Sequence, residues 1–122
     1  MANSYRDLLV WKKAKALSVA VYKATENFPD RERFGLTNQM RRSAVSVPSS
    51  VAEGHGRGTR RDFANFLCVA RGSLQELETQ VDIAIDLGFG DANELLALHR
   101  DCFHILGLLN RLLKAINLKA KA

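Results

Sequence analysis

From Phe63 to Ala84 the apolar residues Phe63, Leu67, Ala70, Leu74, Leu77, Val81 and Ala84 follow one another at intervals of 4, 3, 4, 3, 4 and 3. A strand, whose side chains alternate with a period of two, cannot put these residues on one face, whereas a helix gathers them into one stripe. A repeat of 3.5 residues held over three heptads also selects near-antiparallel helix packing, with axes about 20° apart. The stripe ends at Leu87-Gly88, and Thr59, with Asp62 three residues on, is placed to cap its start.

The rest of the chain repeats the pattern. Val10, Ala14, Leu17, Val21, Ala24 and Phe28 form a first stripe, and Lys12, Lys13, Lys15 and Lys23 fall off it. Pro29 disfavours helix at the residue before it and cannot donate into the last turn, so this helix is expected to stop near Asn27, with a turn over 28–33. Leu36, Met40, Ala44, Val47 and Val51 form a second stripe, with Gly54 expected as a left-handed cap. Leu95, Leu98, Cys102, Ile105, Leu109, Leu112 and Ile116 form a fourth. Nothing competes as a strand, and 122 residues suffice for one core. The expected fold is all-α: a single domain over 1–122, an up-down-up-down antiparallel four-helix bundle.

Two features exceed what core filling requires. Pro48 lies inside the second stripe, where it removes the hydrogen bond to the Ala44 carbonyl and costs roughly 3 kcal/mol unless neighbours compensate. Either the helix kinks there, with Ser46, Ser49 and Ser50 at hand, or it breaks in two near Val47. Trp11, Phe66, Ile85, Phe103, Leu106 and Leu113 lie outside the stripes, which implies a wide core or a second apolar surface buried against other copies.

Charge divides unevenly. Residues 1–61 hold 12 Lys/Arg against 5 Asp/Glu, a balance of +7, and residues 62–122 hold 6 against 8, a balance of −2. The basic half suggests a polyanionic partner. Its candidate contacts are Arg57, Arg60 and Arg61 around the glycine-rich turn GHGRGTRR, the pair Arg41 and Arg42, and Lys12 and Lys13. The turn precedes the positive end of a helix dipole, which suits a phosphate, but it lacks the GxxxxGK[ST] pattern of a nucleotide-binding loop. The alternative for Arg41 and Arg42 is pairing with Asp82 and Asp86 within or between subunits, and for the turn a cap glycine with solvated arginines and no ligand. Few aromatic residues accompany them, so contact with RNA or DNA is expected at the backbone and not by base stacking.

Catalytic and metal chemistry have little to build on. His55, His99 and His104 accompany no recognisable nucleophile turn, and only Asp101 with His104 approximates an element of a di-iron bundle site, so neither catalytic residues nor a cofactor nor a metal is expected. Cys68 and Cys102, in helical segments without a CxxC spacing, are expected to be buried free thiols. The N-terminus has no signal-like apolar run and no segment reaches bilayer length, which points to the cytoplasm and no membrane.

The stretches LVWKKAKALSVAVYKATENFP (9–29), FGLTNQMRRSAVSVPSSVAEGHGRG (34–58) and DFANFLCVARGSLQELETQVDIAIDLGF (62–89) closely resemble the bacterial four-helix-bundle proteins called 23S rRNA intervening-sequence proteins. The matching motifs stand in order over most of the chain and are less diagnostic in the fourth helix. The resemblance implies a homopentamer of four-helix bundles with no established molecular role. It extends to the accessory variability determinant of diversity-generating retroelements, a pentameric barrel that binds nucleic acid and a reverse transcriptase. Arg41, Arg42 and Arg57 are the basic positions within the family motif; Lys12, Lys13, Arg60 and Arg61 come from local charge alone.

Overall fold

Each stripe becomes one helix in the computed structural model, which describes residues 4–121, with side chains through Asn117. The helices are α1 (Leu9–Thr25), α2 (Leu36–Gly56), α3 (Arg60–Leu87) and α4 (Ala92–Lys121), with single 3-10 turns at Tyr5–Asp7 and Asp30–Glu32 and, among the described residues, no strand. Each helix packs on its two sequence neighbours, α4 closes the ring against α1, and among the described residues no pair packs across the diagonal. This is the expected four-helix bundle. The α2–α3 seam is the most extensive and the α1–α4 seam the least.

The ends of the helices follow from local chemistry. Thr59 accepts the N–H of Asp62 at 3.1 Å to start α3, and Asp91 accepts the N–H of Glu94 at 3.0 Å to start α4. Glu32, in the turn before α2, reaches forward to the N–H of Leu36 at 3.1 Å. At the end of α3, Gly88 adopts φ 70°, and the N–H groups of Gly88 and Phe89 return to the carbonyls of Ile85 and Ala84, a Schellman closure. That closure delivers Phe89 to Phe28, their ring centroids 5.7 Å apart, and so ties the α3–α4 turn to the α1–α2 turn.

The core contains all but one of the expected stripe residues, and the exception has a geometric cause. Leu113 is buried and Leu112 only half-buried. A straight helix of 3.6 residues per turn drifts about 20° per heptad from a 3.5 repeat, and Leu113 lies five whole turns beyond Leu95. Trp11, Phe66, Ile85 and Leu106 are half-buried at the edges of a wide core, so of those six apolar residues named outside the stripes Phe103 alone is exposed.

Pro48 neither breaks α2 nor relies on the serines beside it. The helix is continuous from Leu36 to Gly56, and the carbonyl that Pro48 leaves without an N–H, that of Ala44, accepts the hydroxyl of Ser18 from α1 at 3.0 Å. The same hydroxyl lies 3.1 Å from the Ala14 carbonyl of its own helix. Ser46 instead meets Ser73 Oγ of α3 at 2.8 Å.

Gly54 is not the left-handed cap expected of it. It lies buried within α2, where a Cβ would stand 2.5 Å from Cβ of Phe66, so its lack of a side chain is what lets α2 and α3 approach. The left-handed position falls four residues later, at Gly58, φ 84°. The cysteines divide as well: both are free, but Cys102 is buried while Cys68 is exposed. Burial, assisted by the charges of Glu78 and Asp101, pushes the Cys102 thiol up to about 12.

Ser18→Ala is expected to destabilise the protein by about 1–2 kcal/mol, since it strands a buried carbonyl. In a Pro48→Ala background, where residue 48 regains its N–H, the same change should cost measurably less. Urea denaturation of the four proteins of this cycle reads the coupling, and equal costs in both backgrounds would refute it. Gly54→Ala should also destabilise, by about 1–3 kcal/mol, because the clash with Phe66 outweighs the gain of roughly 1 kcal/mol in helix propensity. At pH 8, a thiol reagent should label Cys68 rapidly and Cys102 only after unfolding.

Candidate nucleic-acid interface

The antiparallel ring sorts charge by height along the bundle. A plane through Leu17, Ser46, Ser73 and Ile105 leaves the start of α1, the end of α2, the start of α3 and the end of α4 on one side. Among residues with described side chains, that end holds ten Lys/Arg against three Asp/Glu, a balance of +7. The opposite end holds six against ten, a balance of −4. Dividing the chain into sequence halves hides this, because α4 has its acids in the first half and Arg111 and Lys114 in the second. Folding carries those two to the same half of the bundle as Arg57, Arg60 and Arg61, with Asn110 accepting from Arg71 at 3.1 Å.

Five of the seven candidate residues gather there. Arg60 and Arg61 open α3, exposed, and neither has an ionic or hydrogen-bonding partner among the described residues. Arg57 lies just past α2, held by Glu53 at 3.2 Å and stacked 5.1 Å from the centroid of Phe66. Both partners of this ion pair are more than half exposed, so solvent keeps it weak and Arg57 can exchange Glu53 for a phosphate. Lys12 and Lys13 lie in the first turn of α1, both exposed; Lys12 points outward, and Lys13 borders a groove with Asp101 and His104 of α4.

Arg41 and Arg42 are not part of this cluster. Fifteen residues of helix, about 22 Å, separate Arg42 from Arg57. Arg41 is committed to the fold: its Nε donates to Thr25 Oγ1 at 2.9 Å, a terminal nitrogen lies 3.4 Å from the Tyr22 carbonyl, and the guanidinium covers the Tyr22 ring at 4.6 Å. A cation is favourable there, because the last carbonyls of α1 carry the negative end of its dipole. Arg42 points to solvent. Neither reaches Asp82 within the chain, since Asp82 pairs with His99 across the α3–α4 seam at 2.5 Å.

The basic end also holds an aromatic element that sequence reasoning missed. Tyr5 and Trp11 meet edge to face with centroids 5.2 Å apart, Arg6 lies 5.3 and 5.5 Å from their two rings, and Lys15 lies 5.4 Å from Trp11. The hint was Arg6 and Lys15 flanking Trp11 in sequence, but their convergence needs the 3-10 turn at Tyr5–Asp7 that folds the N-terminal segment back onto α1. These rings are already covered by cations and by each other, and so are poor platforms for an unpaired base.

His55 meets the edge of Phe63 at 5.7 Å, His99 is engaged by Asp82, and among the described residues no three His, Cys, Asp or Glu side chains converge as metal ligands would. No described helix is long and apolar enough to cross a membrane. What the basic end can do chemically is hold anions at several points, through charge and the dipole of α3.

No functionally curated protein matches this sequence. Among solved structures, a protein with unknown function from the S23 ribosomal protein family of Bacteroides thetaiotaomicron superposes with a TM-score of 0.78. It is 24% identical, and the alignment covers 87% of this chain and 99% of that one; at this identity the likeness establishes the fold. The model of the 23S rRNA-intervening sequence proteins matches residues 6–111, spanning all four helices and including every candidate residue named above, so the chain belongs to the 23S rRNA-intervening sequence protein family.

Proposed function

We propose that this protein is a non-enzymatic, cytoplasmic, homo-oligomeric binder of RNA or DNA backbones, most consistent with a pentamer, and that its contacts lie at the basic end of the bundle. The observation that carries the reading is the +7 balance at that end, with Arg60 and Arg61 at the start of α3 left without partners among the described residues. Arg57, Lys12 and Lys13 extend the surface. Contacts of this kind neutralise phosphates without reading base edges, so affinity should respond strongly to salt and weakly to sequence. The family name supports an RNA context by association only; it describes where such proteins are encoded.

A second reading is favoured by a different observation. The opposite end carries an excess of acids, and Arg41 is spent on the fold, so the family's arginine motif serves partly to hold the bundle together. On this reading the protein is a scaffold for another protein, such as a reverse transcriptase, with no direct contact to nucleic acid.

Fluorescence anisotropy with structured RNA, single-stranded RNA and duplex DNA at several salt concentrations separates the two. On duplex DNA, Arg57→Ala/Arg60→Ala/Arg61→Ala is expected to flatten the dependence of log affinity on log salt by about two to three units, near 0.9 for each phosphate that the variant no longer neutralises. Arg41→Ala should leave that slope unchanged and instead lower the unfolding free energy by about 1 kcal/mol. Absence of binding to every probe near physiological salt would overturn the nucleic-acid reading in favour of the scaffold.

A further inference from the structure

Phe103 stands on the outer face of α4, 78% exposed, with Leu96 beside it at 47%. Single exposed apolar residues are ordinary on a monomer, but these two continue into Ile85 to line a shallow groove of about 700 Å³ over the α3–α4 seam. The groove is too open to hold the Phe103 ring, which therefore projects from the surface. Arg100, three residues before Phe103 and on the same side of the helix, is exposed and has no partner among the described residues.

The other flank of α4 has the converse shape. Where α4 meets α1, along the least extensive seam of the bundle, Ala20, Ala24 and Ala97 leave a cleft of about 550 Å³ floored by Leu98. Its rim carries Glu26, Glu94 and Asp101 against the single cation Lys23. One chain thus presents a projecting aromatic beside an unpaired cation, and an apolar cleft with an acidic rim. The two are different surfaces, so a contact between them is heterologous and passes from copy to copy until the rotation closes. They are offset along α4: Ala97 and Phe103 are six residues apart, about 9 Å. A neighbour joined this way is displaced sideways and shifted by up to that rise, so a closed ring requires the bundles to tilt enough to absorb it.

We propose that copies of this chain join by seating Phe103 of one in the α1–α4 cleft of the next, which brings Arg100 to the level of Glu94 on the cleft's acidic rim. This rests on the oligomeric reading above and assigns the residues that make the contact. Every basic end then lies on the same side of the ring.

Light scattering on a size-exclusion peak tests the seat. Wild type should show several times the 13.6 kDa chain mass, while Phe103→Asp, which removes the knob, and Ala97→Phe, which fills the cleft, should each run as single chains with wild-type helicity. Each variant keeps the surface the other lacks, so mixing them should yield a species of two chains. Should Ala97→Phe fail to fold, Glu94→Lys/Asp101→Lys blocks the same cleft from its exposed rim. Wild-type mass for Phe103→Asp, or a mixture that stays at single chains, overturns the proposal while leaving the oligomer standing. A monomeric wild type overturns both.

Discussion

The hydroxyl of Ser18 supports more of this molecule than its size suggests. Pro48 deprives the Ala44 carbonyl of its helical partner in the middle of α2, at a level where no water is needed to replace it, because α1 brings a donor to 3.0 Å. A buried carbonyl left unpaired costs about 1–3 kcal/mol, comparable with the penalty of the proline itself. The bond does more than offset that cost, for it is directional and joins one turn of α1 to one turn of α2. Continuity of α2 through Pro48 in turn decides that Arg41 stands near one end of the bundle and Arg57 near the other. A break at Val47 would have freed the second half of α2 to carry Arg57 elsewhere.

Topology then acts on charge. Four antiparallel helices place the beginnings of α1 and α3 beside the ends of α2 and α4, so charge position within each helix matters more than the balance of any helix taken whole. α4 is the clearest case: its acids, Glu94 and Asp101, lie near its start, and Arg111 and Lys114 near its end. Helix dipoles follow the alternation, since each end of the bundle holds two helix starts and two helix ends and their fields largely cancel. The +7 and −4 balances therefore come from side chains, and salt will screen them as it screens any surface charge, over about 8 Å at physiological strength.

Helix number, order and nearly the whole core were legible in the sequence, because a 4-3 alternation determines both the element and its buried face. The Thr59 cap and the Gly88 stop were legible for the same reason: each acts on neighbours within a few residues. What escaped was non-local. Ser18 and Ala44 are 26 residues apart, and no pattern marks a serine on an otherwise apolar stripe as the partner of a distant proline. Gly54 was misread because a glycine near a helix end has two uses, a left-handed turn or a close approach, and only the position of Phe66 distinguishes them. Of the candidate site, Arg57, Arg60 and Arg61 were adjacent in sequence and remain so in space. Arg41 looked like their equal and is not, since its hydrogen bonds to α1 depend on the turn between the two helices.

The proposed ring, with every basic end on one side, would have an electrostatic cost that bears on its proposed function. In that ring neighbouring +7 ends would repel one another, and only the part of that repulsion acting within a Debye length would survive at physiological salt. A polyanion spanning several ends would remove the repulsion and gain each end's contacts in one molecule, so the second and later contacts would form at high effective concentration. If the protein assembles and binds as proposed, assembly and polyanion binding would strengthen each other by the same factor, as linkage requires of any two coupled equilibria. Under that coupling a single bundle would bind weakly however many arginines it carries, because the proposed ring, and not the individual chain, would be the unit matched to a nucleic-acid backbone. The cleft between α1 and α4 and the arginines at the start of α3 would then serve one function, although they share no residue and lie at opposite ends of the molecule.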